Sequence, residues 1–220
     1  MAAILPRLAV FDCDGTLVDG QADICAAMTA AFSALALPTP DPHLIRRSVG
    51  LNLPQTMRVL APDAEDAVLV ALVDGYKSAF RQARAEGRLA EPLFPGIREA
   101  LDDLRTAGWD LGVATGKSDR GLAHCLTVHG LSGHFVTLQT ADRHPSKPHP
   151  AMLEAALAEA FVEPARAVMI GDTHFDIAMA RSAGVRAIGV AWGYHTADEL
   201  LAAGAEAVAA NPENLLELLQ

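Results

Sequence analysis

Short apolar runs recur along the chain, several stopped abruptly by a polar residue. Leu8-Ala9-Val10-Phe11 ends at Asp12, Leu111-Gly112-Val113-Ala114 at Thr115, and Ala167-Val168-Met169-Ile170 at Gly171-Asp172. Phe135-Val136-Thr137-Leu138 and Ala187-Ile188-Gly189-Val190 have the same character. Runs this short and this apolar predict strands buried on both faces of a parallel sheet. Helical patterns separate them. Ile97, Leu101 and Leu104 form one stripe, with Pro95-Gly96 as a start signal and Gly108 as a stop. Met152, Leu153, Ala156, Leu157 and Ala160 form a second, and Ile177, Ala178 and Arg181 to Ala183, stopped by Gly184, a third. Strand–helix alternation of this kind predicts an α/β fold with a doubly wound, Rossmann-like parallel sheet. Such sheets bind ligands beyond the carboxyl ends of their strands, where Asp12, Thr115 and Asp172 fall.

One stretch breaks the alternation. Between Asp19 and Pro92 there are helical stripes and no convincing strand. Ile24, Met28, Ala31, Phe32 and Leu35 make one stripe, and Val68, Leu72, Tyr76 and Phe80 another. Pro38, Pro40, Pro42, Pro54 and Pro62 punctuate the connections, and residues from Glu91-Pro92 to Pro95-Gly96 read as the return. The expected division is a core of residues 1–18 and 93–220 with an all-helical insertion over 19–92.

Composition narrows the partners. The chain has 220 residues, is 51% hydrophobic and carries a net charge of −10, with a pI near 5.1. That balance argues against nucleic acid and acidic membrane surfaces, which select a basic face. It still allows a small anionic substrate met by a few local cations. No apolar run approaches the roughly 18 residues of a membrane span, and the opening Met1-Ala2-Ala3-Ile4-Leu5-Pro6-Arg7 does not read as a secretory leader. Three widely spaced cysteines, Cys13, Cys25 and Cys125, predict reduced thiols in a cytoplasmic protein. Monomer and homodimer are equally compatible with the sequence.

The chemistry gathers where the strands end. Asp12 and Asp14 stand two apart just past the first strand, so both side chains can face one side. Carboxylates that close repel unless a cation or proton is shared, and a hard ion such as Mg²⁺ suits oxygen ligands. Gly15 permits a tight turn and Thr16 could cap the next segment. Thr115-Gly116-Lys117 offers a hydroxyl and backbone N–H groups for phosphate oxygens. Lys147, held in the proline-rich loop His144-Pro145-Ser146-Lys147-Pro148-His149-Pro150, could neutralise a phosphoryl group. In Gly171-Asp172-Thr173-His174-Phe175-Asp176, Asp172 suits a further metal ligand. Asp176, one helical turn on, could orient Asp172, Lys147 or a water on the metal.

The ordered set of Asp-x-Asp-Gly-Thr, strand-end Thr, Lys-Pro and Gly-Asp-x-x-x-Asp resembles the haloacid dehalogenase superfamily over essentially the whole chain. The insertion resembles the helical cap of its type I members. Phe94-Pro95-Gly96, Trp192-Gly193-Tyr194 and Ala203-Gly204-Ala205 resemble the phosphoglycolate phosphatase-like branch. The resemblance implies a magnesium-dependent phosphomonoesterase for a small phosphorylated metabolite, with 2-phosphoglycolate as first guess. Asp12 would be the nucleophile that carries an aspartyl-phosphate, and Asp14 the proton donor and acceptor. Asp12, the Asp14 backbone carbonyl and Asp172 would hold Mg²⁺, while Thr115, the Gly116 N–H and Lys147 would hold phosphoryl oxygens. Asp176 would support them from behind. Gly116 departs from the Asn common after this Ser/Thr, which puts the substrate contact there in question. Dehalogenation would leave Asp14 and the Gly-Asp-x-x-x-Asp set redundant. Two other classes share parts of the pattern: a phosphomutase acting on hexose phosphates, and a non-catalytic receiver-like module phosphorylated on Asp12.

Several conspicuous residues read as ordinary ones. His144, His149 and His174 match no compact zinc spacing and are expected in loops or at the surface. Cys13 is expected to pack away from the aspartates, with sensitivity to oxidation as the alternative. Arg46 and Arg47 read as a solvated helix face, or as groups reaching an anionic substrate. Trp192 and Tyr194 read as packing, or a dimer contact.

Overall fold

The computed structural model describes residues 6–219, so the expectation about a leader at Met1 to Leu5 lies outside the described residues. In chain order the elements are β1 (Leu8–Phe11), α1 (Gln21–Ala34), α2 (Pro42–Arg47), α3 (Leu53–Leu60), α4 (Asp66–Ala85), α5 (Ile97–Thr106), β2 (Asp110–Thr115), α6 (Asp119–Val128), β3 (Thr137–Thr140), α7 (Ala151–Ala160), β4 (Ala167–Gly171), α8 (His174–Ser182), β5 (Arg186–Val190), α9 (Ala197–Ala203), β6 (Ala207–Ala209) and α10 (Asn214–Leu218). A single 3₁₀ turn, Pro164–Arg166, precedes β4.

All six strands are parallel, in the order β3-β2-β1-β4-β5-β6. The chain winds outward from β1 in one direction through β2 and β3, and in the other through β4 to β6. The sheet is therefore doubly wound, with its switch point between β1 and β4. Alternation along β1 assigns its side chains to opposite layers. Ala9 and Phe11 join Ile97, Leu101, Leu104, Leu126 and Leu215 in one core. Leu8 and Val10 join Met152, Leu153, Ile177, Met179 and Leu200 in the other. Burial on both faces explains why these strands read as unbroken apolar runs.

The expectation of a strand over Phe135 to Leu138 is corrected: β3 begins two residues later, and Gly112 aligns with Thr137. Its inward side chains are polar but satisfied. The Thr137 hydroxyl and Gln139 Nε2 donate to Glu159 Oε2 at 2.5 and 2.9 Å, and the Thr140 hydroxyl donates to Asp119 Oδ1 at 2.6 Å. A hydrophobic pattern is blind to a buried position whose polarity is met by a partner. The short edge strand β6 was also not foreseen.

Helices α1 to α4 lie between β1 and α5 in the chain and enclose a core of their own, built on Ile24, Met28, Phe32, Ile45, Met57 and Leu72. The long helices α1 and α4 pack along one another. Both foreseen stripes fall on them, and no strand longer than an isolated bridge forms in this stretch. The two crossings between insertion and core run side by side: Val18 bridges Leu93, and Asp19 N–H donates to the Pro92 carbonyl at 2.8 Å.

Candidate active site

The carboxyl ends of β1, β2 and β4 meet under the inserted helices, beside a cavity of about 600 Å³ lined in part by Asp12, Asp14, Thr115, Gly116 and Lys117. Asp12 directly follows β1. Its Oδ1 accepts from the Cys13 N–H at 2.6 Å and lies 3.0 Å from Lys147 Nζ. Its Oδ2 is buried without a partner. Lys147 is fully buried, and its ammonium also donates to Asp176 Oδ1 at 2.6 Å. Burial pushes the Asp12 carboxyl up to about 7, against the pull of Lys147 and with the push of Asp176.

The sequence left three partners open for Asp176, and one of them, Lys147, donates to its Oδ1. Its second oxygen accepts from the Thr173 N–H and hydroxyl at 3.1 and 2.7 Å, the reciprocal contact that starts α8. One side chain thus begins a helix and holds the lysine. Asp172 is fully buried. Its Oδ1 accepts from the Thr16 hydroxyl at 2.9 Å and its Oδ2 from the Tyr194 N–H at 2.9 Å. Thr16 therefore braces Asp172 rather than capping the following segment. Gly15 lets the two approach: it sits at φ +83°, and a Cβ there would fall 2.2 Å from Asp172 Oδ2. Burial first, then the charges of Asp12 and Asp176, hold Asp172 well above the usual carboxylate range.

Asp14 turns to a partner that sequence reasoning passed over. Lys117 Nζ lies 3.0 Å from Asp14 Oδ1 and 2.5 Å from Glu91 Oε1. Lys117 was visible only as the last letter of the second motif, and Glu91 only as part of the return, because their meeting depends on how the insertion closes. Burial raises the Asp14 carboxyl, Lys117 draws it down and Glu91 pushes it up, leaving it above the ordinary value. Burial works against the Lys117 ammonium, but the charges of Asp14, Cys13 and Glu91 outweigh it and hold the proton firmly.

Thr115 is buried, and its hydroxyl oxygen accepts from the Lys117 N–H at 3.2 Å. Gly116 has a steric reason. A Cβ there would fall 2.7 Å from the Leu51 carbonyl oxygen and 3.0 Å from that of Gly50. The missing side chain is the space into which the α2–α3 loop descends. That loop is pinned nearby, where the Asn52 N–H donates to Ser146 Oγ at 2.7 Å.

Side-chain oxygens of Asp12, Asp172 and Asp176 lie within 4.8 Å of one another. The donor set is all oxygen and acidic, which fits a hard divalent cation. Burial and mutual repulsion raise the Asp12 and Asp172 carboxyls, a cost that such a cation would offset. Asp176 has both oxygens engaged, and the Asp14 carboxylate faces Lys117 instead of this cluster.

Other expectations resolve simply. Cys13 packs into the core, its sulfur 3.9 Å from that of Cys125, and that contact together with burial pushes its thiol up. Arg47 reaches Glu199 on α9 at 2.8 Å, tying the insertion to the core. His144 bonds Gln139, His149 is exposed, and His174 stacks on Phe175 and buried His195. Trp192 Nε1 donates to the Thr16 carbonyl at 3.0 Å, and the Tyr194 backbone holds Asp172. Nothing in the local sequence marks Tyr194 for that role, since the chain returns to β4 only in three dimensions.

Comparison with known proteins decides the family. The model described as haloacid dehalogenase-like hydrolase matches residues 9–190. The chain belongs to the haloacid dehalogenase-like hydrolase family. It is 39% identical over 202 residues to a protein named probable phosphatase IndB from Dickeya dadantii (strain 3937), covering 89% of this chain and 86% of that one. It is 29% identical over 223 residues to a phosphoglycolate phosphatase of Vibrio parahaemolyticus serotype O3:K6 (strain RIMD 2210633), covering 97% and 96%. Among solved structures, the haloacid dehalogenase-like family protein SP0104 from Streptococcus pneumoniae superposes with a TM-score of 0.85 at 26% identity, covering 98% of this chain and 99% of that one. The family match spans the strands that carry Asp12, Thr115 and Asp172. It also spans the inserted helices. No helix among the described residues is long and apolar enough to cross a membrane.

Proposed function

We propose that this chain is a magnesium-dependent phosphomonoesterase acting on a small phosphorylated metabolite through an aspartyl-phosphate on Asp12. The observation that carries the reading is the division between the two Asp12 oxygens. One is anchored by the Cys13 N–H and Lys147, while the other is buried, unpartnered and beside the cavity. A carboxylate held in that way is a positioned nucleophile.

Asp12 Oδ2 forms the new bond to phosphorus as the bond to the ester oxygen breaks. Asp14, with its carboxyl raised, gives its proton to that leaving oxygen. It then takes a proton from the water that attacks the aspartyl-phosphate, releasing inorganic phosphate and restoring Asp12. Lys117 keeps Asp14 oriented between the two steps. Thr115, the Gly116 N–H and Lys147 stand around the transferring phosphoryl group, where fixed donors stabilise charge without reorganisation. Mg²⁺, held by Asp12, Asp172 and the Asp14 backbone carbonyl, would supply neutralisation of phosphoryl charge. Asp176 acts through Lys147.

The phosphoglycolate phosphatase name of the Vibrio relative makes 2-phosphoglycolate the first metabolite to assay. The helices covering the site favour hydrolysis of a sequestered small molecule over a receiver-like module, which must show its phosphoaspartate to a partner. The test is phosphate release from p-nitrophenyl phosphate with Mg²⁺. Asp12→Asn should lower turnover at least about a thousandfold. Retained magnesium-dependent turnover in that variant would sink the mechanism.

A further inference from the structure

The cavity continues well beyond the phosphoryl end, and its far part carries chemistry that the reaction does not use. One face of α4 lines it at helical spacing: Tyr76, Phe80 and Arg84 are successive i, i+4 neighbours. Tyr76 stands at the inner end, half-buried, where its hydroxyl is above all desolvated and feels the charges of Asp14, Lys117 and Glu91. Phe80 follows, with ring centroids 5.0 Å apart. Arg84 comes one turn further. Two turns of helix, about 12 Å along the axis, separate the first of these positions from the last. Ile24 and Met28 of α1 face the same space, so its middle is walled by hydrocarbon and aromatic rings.

Arg84 is the anomaly. Its Nε is shut off from solvent and has no hydrogen-bond partner. Among the described residues no carboxylate pairs with it. Glu91, which lines the same cavity, is taken by Lys117, and Asp142 accepts from the Asp119 N–H. Lys77, Arg81 and Arg120 line the cavity as well, so the cations of its wall outnumber its carboxylates, Asp142 included. A buried guanidinium donor without an acceptor is costly, and the cost disappears when a ligand oxygen supplies one.

We propose that the substrate is a phosphomonoester with an apolar or aromatic body and a distal anionic group, a carboxylate in the simplest case, which Arg84 receives. The proposal rests on the phosphomonoesterase reading and names the substrate class of that same site. The body lies along Tyr76 and Phe80, spanning the distance from Asp12 to the guanidinium. In 2-phosphoglycolate a single carbon separates the carboxylate from the ester oxygen, too short a span to cover the two helical turns from Tyr76 to Arg84. Arg84 is a specificity-determining residue and takes no part in the bond-breaking step.

The experiment compares esters with and without the distal group: 4-carboxyphenyl phosphate against phenyl phosphate, 4′-carboxybiphenyl-4-yl phosphate against biphenyl-4-yl phosphate, and 2-phosphoglycolate as the short acid. In the full chain with Mg²⁺, at least one aryl carboxylate should exceed its parent in kcat/KM by about 10- to 100-fold, the worth of a charged hydrogen bond. Arg84→Leu should collapse that ratio toward one, and Arg84→Lys should keep part of it. Equal rates for each ester and its parent, a ratio unmoved by Arg84→Leu, or 2-phosphoglycolate outranking both aryl carboxylates overturns the proposal. The same ratios read as dissociation constants by calorimetry on Asp12→Asn separate the two readings. If no ester is hydrolysed, the phosphomonoesterase reading fails, while the binding ratios still decide the role of Arg84. If Arg84→Leu does not fold, Arg84→Lys and Arg84→Gln carry the comparison.

Discussion

The two ends of the cavity are built on opposite principles. At the phosphoryl end the functional side chains leave the ends of parallel strands or their following loops, are almost fully buried, and are matched charge to charge at 2.5 to 3.0 Å. At the cap end they leave one face of a long helix, are half-buried or exposed, and include a guanidinium nitrogen with nothing to hold. Apart from Asp12 Oδ2, which is left unpartnered, the first arrangement is set before any substrate arrives, which is what preorganised electrostatic catalysis requires. The second is completed by what binds. On the proposed reading, chemistry kept on the sheet and selectivity kept on an inserted helix pair let the substrate change without disturbing the reaction.

The most damaging break should come where the charges are densest. Lys147 stands between Asp12 and Asp176 with no exposure to water. Lys147→Met leaves two buried carboxylates facing each other without their cation. Loss of one member of a buried ionic group costs about 3–5 kcal/mol, and turnover should fall with it. Urea denaturation with the metal chelated reads the stability term. A midpoint equal to that of the wild type would show that the lysine does not hold this end together.

That contrast also explains what could be read in advance. The strand ends are written locally, as an apolar run halted by Asp12, Thr115 or Asp172, so the sheet and the polar residues at its carboxyl ends were legible. Lys147 was legible as a candidate because prolines frame it. Thr16, Lys117, Glu91 and Tyr194 were not, since each finds its partner across 26 to 156 residues of chain or through a backbone N–H. The position of β3 was misread because Thr137 and Gln139 are buried by virtue of Glu159, a partner supplied by α7. Arg84 was invisible for a related reason. A stripe of Val68, Leu72, Tyr76 and Phe80 looks like ordinary helix packing, and only the cavity shows that its last two members face an opening that Arg84 closes.

Where the two ends touch, a smaller effect is expected. Gly116→Ala sets a methyl group 2.7 Å from the Leu51 carbonyl oxygen, and backbone cannot swing aside as a side chain can. The α2–α3 loop must withdraw, at a cost of about 1–3 kcal/mol. Closure over the site should suffer more than the sheet beneath it, so kcat/KM should fall further than stability predicts. Gly133→Ala is the control, since a Cβ there meets nothing within 4 Å. Equal behaviour of the two variants would mean that the loop does not need the space.

The mildest break tests whether insertion and core are latched at the surface as well. Arg47 grips Glu199 through two contacts, at 2.8 and 3.1 Å, but both side chains are about a third exposed. Glu199 also accepts from the Thr196 N–H at 2.9 Å, closing the capping box of α9. Glutamine can serve in such a box, so Glu199→Gln removes the charge while sparing the helix start. The bond from Arg47 first, then the Thr196 N–H, draws this carboxyl down to about 2. A carboxyl lowered on folding contributes above its unfolded value and loses that contribution only as pH falls through its folded one. The latch should thus persist throughout the range in which the enzyme can be assayed. Solvent-exposed pairs are weak and are screened by salt. Glu199→Gln should therefore change kcat by no more than about fivefold, and molar sodium chloride should erase the difference. If product release waits on the insertion lifting away, the change is an increase, because a loosened latch opens sooner. A decrease that survives high salt would instead mean that Glu199 acts through the capping of α9, and that the insertion is held to the core by the Gly116 approach and the Asn52–Ser146 bond.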